Sequence, residues 1–174
     1  MSGACAPPNI DGFVTRLAEA ADLDVVAGLL LATNRHYWGP RDGAEAATRR
    51  AAEDLVHGRA GCNMLLGWLD GTAVAYATFA VMHPAPSEHG TLFMKDLFVV
   101  EAARGKGLGE IMMRRLAALA VARGCVRFDW TAETDNPRAL DFYDRLAAAR
   151  VTDKVYFRFA GDDLARFAEP PAAD

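Results

Sequence analysis

The chain has 174 residues, of which 52% are hydrophobic and 24% are charged, and its formal net charge is −4. These values are typical of one folded domain of ordinary size and exclude a disordered chain. The slight excess of acidic residues argues against nonspecific binding to nucleic acid. No apolar stretch reaches the length of a membrane span, and the first residues lack the basic and apolar regions of a secretory signal. We therefore expect neither a membrane-spanning nor an exported protein.

The three cysteines, Cys5, Cys62 and Cys125, match no zinc-binding spacing, so no metal site is expected. An odd number of widely spaced cysteines is typical of free thiols in a reducing compartment. The sequence therefore predicts a cytoplasmic protein without a resident metal.

The first half of the chain predicts alternating strands and helices after a flexible lead-in at 1–11. Apolar spacing indicates, in chain order, a strand at 13–17, helices at 21–38 and 44–57, and strands at 64–69 and 73–82. The pair Gly39-Pro40 ends the first helix. Asp70 and Gly71 separate the last two strands and are a strong signal for a two-residue hairpin turn.

The second half begins with a long strand at 91–100, which has the polar pair Lys95 and Asp96 in its middle. The pattern then predicts a glycine-rich turn, a helix to 123, a strand at 126–131, a helix at 136–148 and a last strand at 155–159. This order is typical of an α/β fold with a mixed sheet. We expect one domain over 12–166, followed by a frayed tail at 167–174.

Residues 104–109, Arg-Gly-Lys-Gly-Leu-Gly, form the turn between a strand and a helix. Glycine lets backbone amides turn inward, and the positive end of a helix attracts anions, so this turn suits a phosphate or pyrophosphate. Arg104 and Lys106 add positive charge beside it. The spacing fits neither the Walker pattern GxxxxGK(S/T) nor the dinucleotide pattern GxGxxG. A glycine-rich connection without a ligand is the alternative interpretation.

The pattern R-x-x-G-x-G at 104–109 resembles the acetyl-CoA pyrophosphate signature of the GNAT superfamily of N-acetyltransferases. Residues 96–100 are similar to the fourth strand of that family, and 130–131 with 136–143 are similar to its fifth strand and the following helix. This set is most similar to the diamine (spermidine/spermine) N-acetyltransferase branch. The resemblance covers residues 91–146. It implies a mostly antiparallel sheet that is flanked by helices and whose central strands splay apart.

In this family acetyl-CoA binds between the splayed strands, so the resemblance implies a cofactor site here. Backbone groups of Leu97, Phe98 and Val99 would pair with the pantetheine arm. The implied cofactor-binding set also includes residues of the turn and of the helix at 136–148, namely Arg104, Gly105, Lys106, Gly107, Leu108, Gly109, Glu110, Asn136 and Ala139.

The resemblance makes Tyr143 the candidate catalytic acid, which would protonate the departing CoA thiolate. The implied mechanism is direct attack of a neutral primary amine on the thioester, with a backbone amide near Val99 stabilising the tetrahedral intermediate. Without the resemblance, a tyrosine on this helix face is an ordinary core aromatic. The candidates for the general base are Asp96, Glu133, His36 or a chain of waters, and Asp96 ranks slightly ahead.

Two positions differ in charge from the diamine branch. Lys95 stands where that branch commonly has Glu, and the segment His36-Tyr37-Trp38 has no acidic residue where the branch has one. Since a lysine in place of a glutamate changes the local charge by two units, a cationic diamine would be repelled. Lys95, His36, Tyr37, Trp38 and Trp130 are the candidate substrate-binding residues, and packing in the core or at a rim is the alternative for both tryptophans.

The sequence thus predicts an acetyl-CoA-dependent N-acetyltransferase that acts on a primary amine of a small molecule. A non-catalytic acyl-CoA-binding or regulatory module is one alternative, and an acetyltransferase acting on a protein or peptide amine is another. We expect no nucleic-acid or membrane partner, and a homodimer is left open.

Overall fold

The computed structural model describes residues 10–85 and 89–170. These residues form two compact units that divide after Glu133. The helices and strands in chain order are β1 (Phe13–Leu17), α1 (Leu23–Trp38), α2 (Ala44–Val56), β2 (Asn63–Leu69), β3 (Thr72–Met82), β4 (Gly90–Val99), α3 (Leu108–Ala122), β5 (Cys125–Trp130), α4 (Pro137–Arg145) and α5 (Asp162–Ala168). The first unit contains β1 to β5 with α1 to α3, and the second contains α4 and α5.

The first unit is built on a five-stranded sheet in the order β1-β2-β3-β4-β5. Neighbouring strands are antiparallel from β1 to β4, whereas β5 runs parallel to β4. The parallel pair requires a crossover, and α3 provides it. The expected α/β class with a mixed, mostly antiparallel sheet flanked by helices is confirmed.

The hairpin between β2 and β3 has the two-residue turn that its sequence predicts. Asp70 and Gly71 both have positive φ, of 49° and 77°. A turn of this type matches the right-handed twist of the strands, which explains why an Asp-Gly pair stands there.

The helices α1 and α2 pack on one face of the sheet. The core on this face is formed by buried residues of both helices and three strands, namely Val26, Leu29, Ala52, Met64, Leu66, Tyr76 and Phe98. Because side chains alternate along a strand, Phe79 of β3 faces the opposite side of the sheet from Tyr76. Arg123, just after α3, lies over the ring of Phe79 at 5.4 Å. The third helix therefore covers the second face.

A partly buried ion pair connects β1 to the start of α1. The guanidinium of Arg16 donates two hydrogen bonds of 2.6 Å to the carboxylate of Asp22, which also accepts a 2.8 Å bond from the amide of Glu19. The hydrogen bond from Arg16 lowers the pKa of the Asp22 carboxyl, and burial partly opposes this shift. Asp22 therefore fixes the entry to the first helix in its charged form.

The second unit differs most from the sequence-based expectation. Residues 149–160 form no regular element, so the strand predicted at Val155–Phe159 is wrong. The alternating apolar residues of this segment favour a strand, but a strand also needs a hydrogen-bonded neighbour. No described strand pairs beyond β5, so the segment has none. The helix predicted to 148 ends at Arg145, and Ala147 has a positive φ of 56°. Helix α5 was not predicted, and it includes two residues of the expected tail.

Residues 1–9 and 171–174, which include most of the lead-in and of the tail, lie outside the described residues. A single domain over 12–166 stays a prediction.

Candidate active site

The sheet opens between β4 and β5. Their parallel pairing ends at Met94 and Trp130, although β4 continues to Val99. Within the described chain, residues 96–99 pair with β3 alone. One edge of this segment therefore presents backbone donors and acceptors to which an extended ligand can add as a strand. This separation is the splay that the resemblance implied, and it includes the expected pantetheine-binding residues.

The glycine-rich turn follows directly after this open edge. Gly105 and Gly107 have φ values of 77° and 76°, a backbone conformation that other residues rarely adopt. A Cβ at Gly105 would meet nothing within 4 Å, and one at Gly107 would meet only the tip of Ile10 at 3.9 Å. The first amides of α3, which begins at Leu108, have no acceptor within the helix. This open cradle at a positive helix end fits a pyrophosphate.

Glu110, another residue of the expected pyrophosphate site, is partly engaged within the protein. The amide of Glu110 donates a 3.1 Å hydrogen bond to the carbonyl of Gly107. The carboxylate of Glu110 accepts bonds of 2.9 and 2.8 Å from Arg114, one turn later in α3. The more accessible donors of the cradle are therefore the amides that precede Glu110, while the side chain of Lys106 is exposed beside them.

Arg104 links the turn to the end of α1. Its Nε donates a 2.9 Å hydrogen bond to the carbonyl oxygen of Val99, and its guanidinium lies 5.6 Å from the ring centre of Phe98. Its Nη2 is 3.4 Å from Nε2 of His36. The guanidinium thus occupies the Val99 carbonyl at the end of β4. Direct contact between Arg104 and a phosphate stays a prediction.

Lys95 and Asp96 lie side by side at a bulge in β4. Met94 pairs with Phe79. The next pair is Asp96 with Thr78, which leaves Lys95 as the extra residue. Oδ2 of Asp96 accepts a 2.7 Å hydrogen bond from the hydroxyl of Thr78, and its Oδ1 lies 3.4 Å from Nζ of Lys95. Bulges re-aim side chains and are frequent beside active sites. The carboxylate of Asp96 is therefore held at the point where the sheet opens.

Cys62, just before β2, lies close enough to this pair to be affected by both charges. Burial raises the pKa of the Cys62 thiol, the negative charge of Asp96 raises it further, and the positive charge of Lys95 lowers it. The raised pKa keeps this thiol protonated, which makes it a poor nucleophile.

Tyr76, which is not among the site residues expected from the sequence, is a buried polar residue on the same face of the sheet. Its hydroxyl donates a 3.0 Å hydrogen bond to Thr33 of α1, and its ring centre lies 5.9 Å from that of Phe98. Burial raises the pKa of Tyr76 to about 12, although the bond to Thr33 opposes the shift. The neutral phenol therefore joins α1 to the sheet beside the open edge. The sequence signal that could have identified Tyr76 is a large polar aromatic residue between two alanines in a predicted strand.

The three aromatic residues at the end of α1 do not all lie at the candidate site; they are His36, Tyr37 and Trp38. The ring of His36 lies 5.9 Å from that of Phe98, so it contacts the open end of β4. The ring of Tyr37 is 5.0 Å from His36. Trp38 is 60% exposed, and the guanidinium of Arg41 lies 5.1 Å from its ring centre. His36 therefore belongs to the candidate site, whereas Trp38 lies on the surface, and the acceptor contacts of Tyr37 and Trp38 stay predictions.

Two other candidate residues, Trp130 and Glu133, lie at the end of β5 and just beyond it. Trp130 ends β5 at the last paired position, and its ring centre lies 4.9 Å from that of Phe128. Trp130 therefore lies where the strands separate, and its contact with an acceptor stays a prediction. Glu133 lies three residues beyond β5 in an exposed segment without regular structure, and its role as a base stays a prediction.

The remaining candidates belong to the second unit. Oδ1 of Asn136 accepts a 3.2 Å hydrogen bond from the amide of Ala139, so Asn136 caps the start of α4. The half-buried ring of Tyr143 lies 5.0 Å from that of Phe142 on the same helix. The cofactor contacts of Asn136 and Ala139 and the acid role of Tyr143 stay predictions.

Among residues 10–85 and 89–170, no three His, Cys, Asp or Glu side chains come together closely enough to hold a metal ion. None of the helices formed by those same residues is both long and apolar enough to span a bilayer.

Comparison with known sequences identifies relatives of this chain. The family model described as acetyltransferase (GNAT) family matches residues 26–148. The thialysine N-epsilon-acetyltransferase of Sus scrofa is 29% identical over 80 residues, which cover 44% of this chain and 47% of the relative. The L-ornithine N5-acetyltransferase NATA1 of Arabidopsis thaliana is 26% identical over 95 residues, covering 55% of this chain and 42% of the relative. The chain thus spans about half the length of the curated relatives it matches.

Solved structures share the fold. An integron cassette protein from the mobile metagenome of V. cholerae is 33% identical, with a TM-score of 0.81, and the match covers 91% of this chain and 99% of that one. The aminoglycoside N-acetyltransferase AAC(6')-Iy, solved in complex with CoA, has a TM-score of 0.69 at 15% identity, with coverage of 87% and 97%. At that identity the second likeness concerns the fold alone.

Proposed function

Since this chain belongs to the acetyltransferase (GNAT) family, we propose that it is an acetyl-CoA-dependent N-acetyltransferase that acts on a primary amine of a small molecule. The observation that supports this most is the open edge of β4, which leads directly into a turn with two positive-φ glycines. An open strand edge suits the amides of the pantetheine arm, and the turn suits the pyrophosphate. The strand edge and the turn can therefore bind two different parts of one coenzyme A molecule.

The proposed cofactor contacts follow from this arrangement. Backbone groups of residues 97–99 other than the Val99 carbonyl, which accepts from Arg104, pair with pantetheine, and the amides of residues 105–109 bind the pyrophosphate. Lys106 adds positive charge from the exposed side of the turn. Arg104 holds the carbonyl of Val99 and thereby fixes the strand end beside which the thioester lies.

Acetyl-CoA supplies the acetyl group as an activated thioester. The proposed chemistry forms a bond from the amine nitrogen to the carbonyl carbon and breaks the bond from that carbon to sulfur. Asp96 accepts the proton that the amine loses, directly or through water, while Thr78 keeps its carboxylate in place. Tyr143 donates the proton that the departing sulfur gains. The base and the acid are thus separate groups, and no covalent acyl-enzyme is required.

For the acceptor we propose an amine-bearing amino acid or a similar small molecule. The substrates that name these relatives support this class, since thialysine and ornithine are amino acids with a second amine. The positive charge of Lys95 at the opening of the sheet supports it as well, because it disfavours a polycation.

Two measurements test the proposed function. Isothermal titration of acetyl-CoA into the protein measures cofactor binding. A thiol-release assay over polyamines, amino acids, aminoglycosides and lysine peptides then measures transfer. Turnover on a small amine is the expected result. Tight acetyl-CoA binding without turnover on any acceptor would instead identify an acyl-CoA-binding module, and turnover on peptides alone would identify a protein acetyltransferase.

We also propose a single domain over 12–166, a cytoplasmic location and a homodimer, without nucleic-acid or membrane partners. The free thiols of Cys62 and Cys125 support the cytoplasm. The net charge of −4 supports the absence of a nucleic-acid partner.

Exposed apolar side chains at Val155, Tyr156 and Phe157 support the proposed interface between two subunits. Light scattering coupled to gel filtration tests the assembly, and a monomeric mass would exclude the dimer.

A further inference from the structure

The bulge in β4 brings Lys95 to the opening of the sheet. The residues on either side of it, Met94 and Asp96, pair with consecutive residues of β3, so Lys95 itself has no partner among the described strands. It comes directly after the last residue of β4 that pairs with β5. Its side chain is 77% exposed. A cationic group is therefore available to a molecule that enters where β4 and β5 separate.

Lys95 and Asp96 present opposite charges next to each other. The ammonium nitrogen of Lys95 lies 3.4 Å from Oδ1 of Asp96, while the other carboxylate oxygen is occupied by Thr78. Tyr76, on the same face of the sheet, is neutral, and the guanidinium of Arg104 is held at the end of β4 by Val99. Lys95 and Asp96 thus place one cation and one anion next to each other at the bulge.

We propose that Lys95 binds the carboxylate of the acceptor, so that the preferred acceptors are amines that also have a carboxylate. This inference rests on the proposed N-acetyltransferase function and names the group that selects its substrates. An amino acid can direct its amine toward Asp96 and its carboxylate toward Lys95, and charge-assisted hydrogen bonds of this kind are the strong ones. A diamine has no group that can face Lys95 favourably, and its second ammonium is repelled.

Matched acceptor pairs that differ only in the carboxylate test this inference. L-ornithine and putrescine form one such pair, and L-lysine and cadaverine form another. We expect kcat/KM of the wild-type protein to favour the amino acid of each pair by about tenfold or more, the effect of one charge-assisted contact. Lys95→Met should remove this preference. Lys95→Glu should reverse it, because the new carboxylate attracts the second ammonium of the diamine.

Arg115→Glu is the matched control, since it makes the same change of charge at an exposed position of α3. It should leave the ratio within each pair unchanged. Equal kcat/KM values within the pairs, unaffected by Lys95→Glu, would overturn the role of Lys95 and leave the N-acetyltransferase function intact. The absence of turnover on every amine, despite tight binding of acetyl-CoA, would overturn the proposed function itself.

Discussion

Thr78 and Asp96 face each other across β3 and β4, and the hydroxyl of Thr78 donates a 2.7 Å hydrogen bond to Oδ2 of Asp96. The pair lies immediately after the bulge at which the sheet opens. Because Thr78 is buried, its hydroxyl has little freedom to turn elsewhere. The orientation of the proposed base is therefore set by a neighbouring strand.

Asp96→Asn is expected to lower kcat by roughly 10²-fold or more while leaving the fold intact. The amide can still accept the bond from Thr78, but it cannot take up the proton of the amine. Single-turnover acetylation rates measure the effect, and Asp42→Asn at an exposed position is the control. An unchanged rate would remove Asp96 from the chemistry and favour Glu133, His36 or water as the base.

Thr78→Val tests whether Thr78 positions Asp96. Valine has nearly the same shape, so we expect a loss of about 1 kcal/mol in the free energy of unfolding, the usual contribution of one hydrogen bond. We also expect a fall in kcat with little change in KM for acetyl-CoA, and Thr78→Ser should restore kcat. A purely structural role would give equal kcat values for the valine and serine variants.

Gly107→Glu is expected to abolish acetyl-CoA binding. The substitution puts a side chain and a negative charge into the cradle that the pyrophosphate should occupy. Gly58→Glu is a suitable control, because Gly58 also has a positive φ, of 70°, and open space around it. Isothermal titration measures the affinity. If the Gly107 variant folds and binds acetyl-CoA as tightly as the Gly58 variant, the turn is not the anion site.

Tyr143→Phe is expected to keep the fold and the acetyl-CoA affinity but to lower kcat by 10²- to 10⁴-fold, the usual contribution of a general acid. The ring is unchanged, so the free energy of unfolding should shift by less than about 1.5 kcal/mol. Single-turnover rates avoid masking by slow product release. Tyr156→Phe, at an exposed tyrosine of the same unit, should have no effect. A wild-type rate for the Tyr143 variant would leave that residue as a packing aromatic.

Asp22→Asn is expected to destabilise the fold by about 1–3 kcal/mol at neutral pH, because Arg16 loses the charged partner of its two hydrogen bonds. The folded-state pKa of Asp22 is lowered by Arg16. Its stabilising contribution is thus complete above the unfolded-state pKa of about 3.9 and is lost as the pH falls through the lower folded-state value. Urea unfolding between pH 6 and pH 2 measures this. The same pH dependence of the unfolding free energy in the wild-type protein and the Asp22→Asn variant would contradict this expectation.

The local features of this protein could be predicted from its sequence because short segments encode them. The Asp70-Gly71 turn, the glycines before α3 and the apolar stripe of α3 each depend on residues that are close together in the chain. The glycines at 104–109 likewise indicate an anion site, because glycine lets backbone amides turn inward, and the resemblance of this motif to the GNAT signature indicated the family.

The tertiary structure alone decided how distant segments meet. The bulge that makes Lys95 the extra residue is a property of the register between β3 and β4, which no single strand encodes. The contact of Arg104 with His36 joins residues 68 positions apart, so the motif could suggest a phosphate but not this partner. The segment 155–159 alternates like a strand yet forms none, since a strand exists only where a neighbour offers its hydrogen bonds.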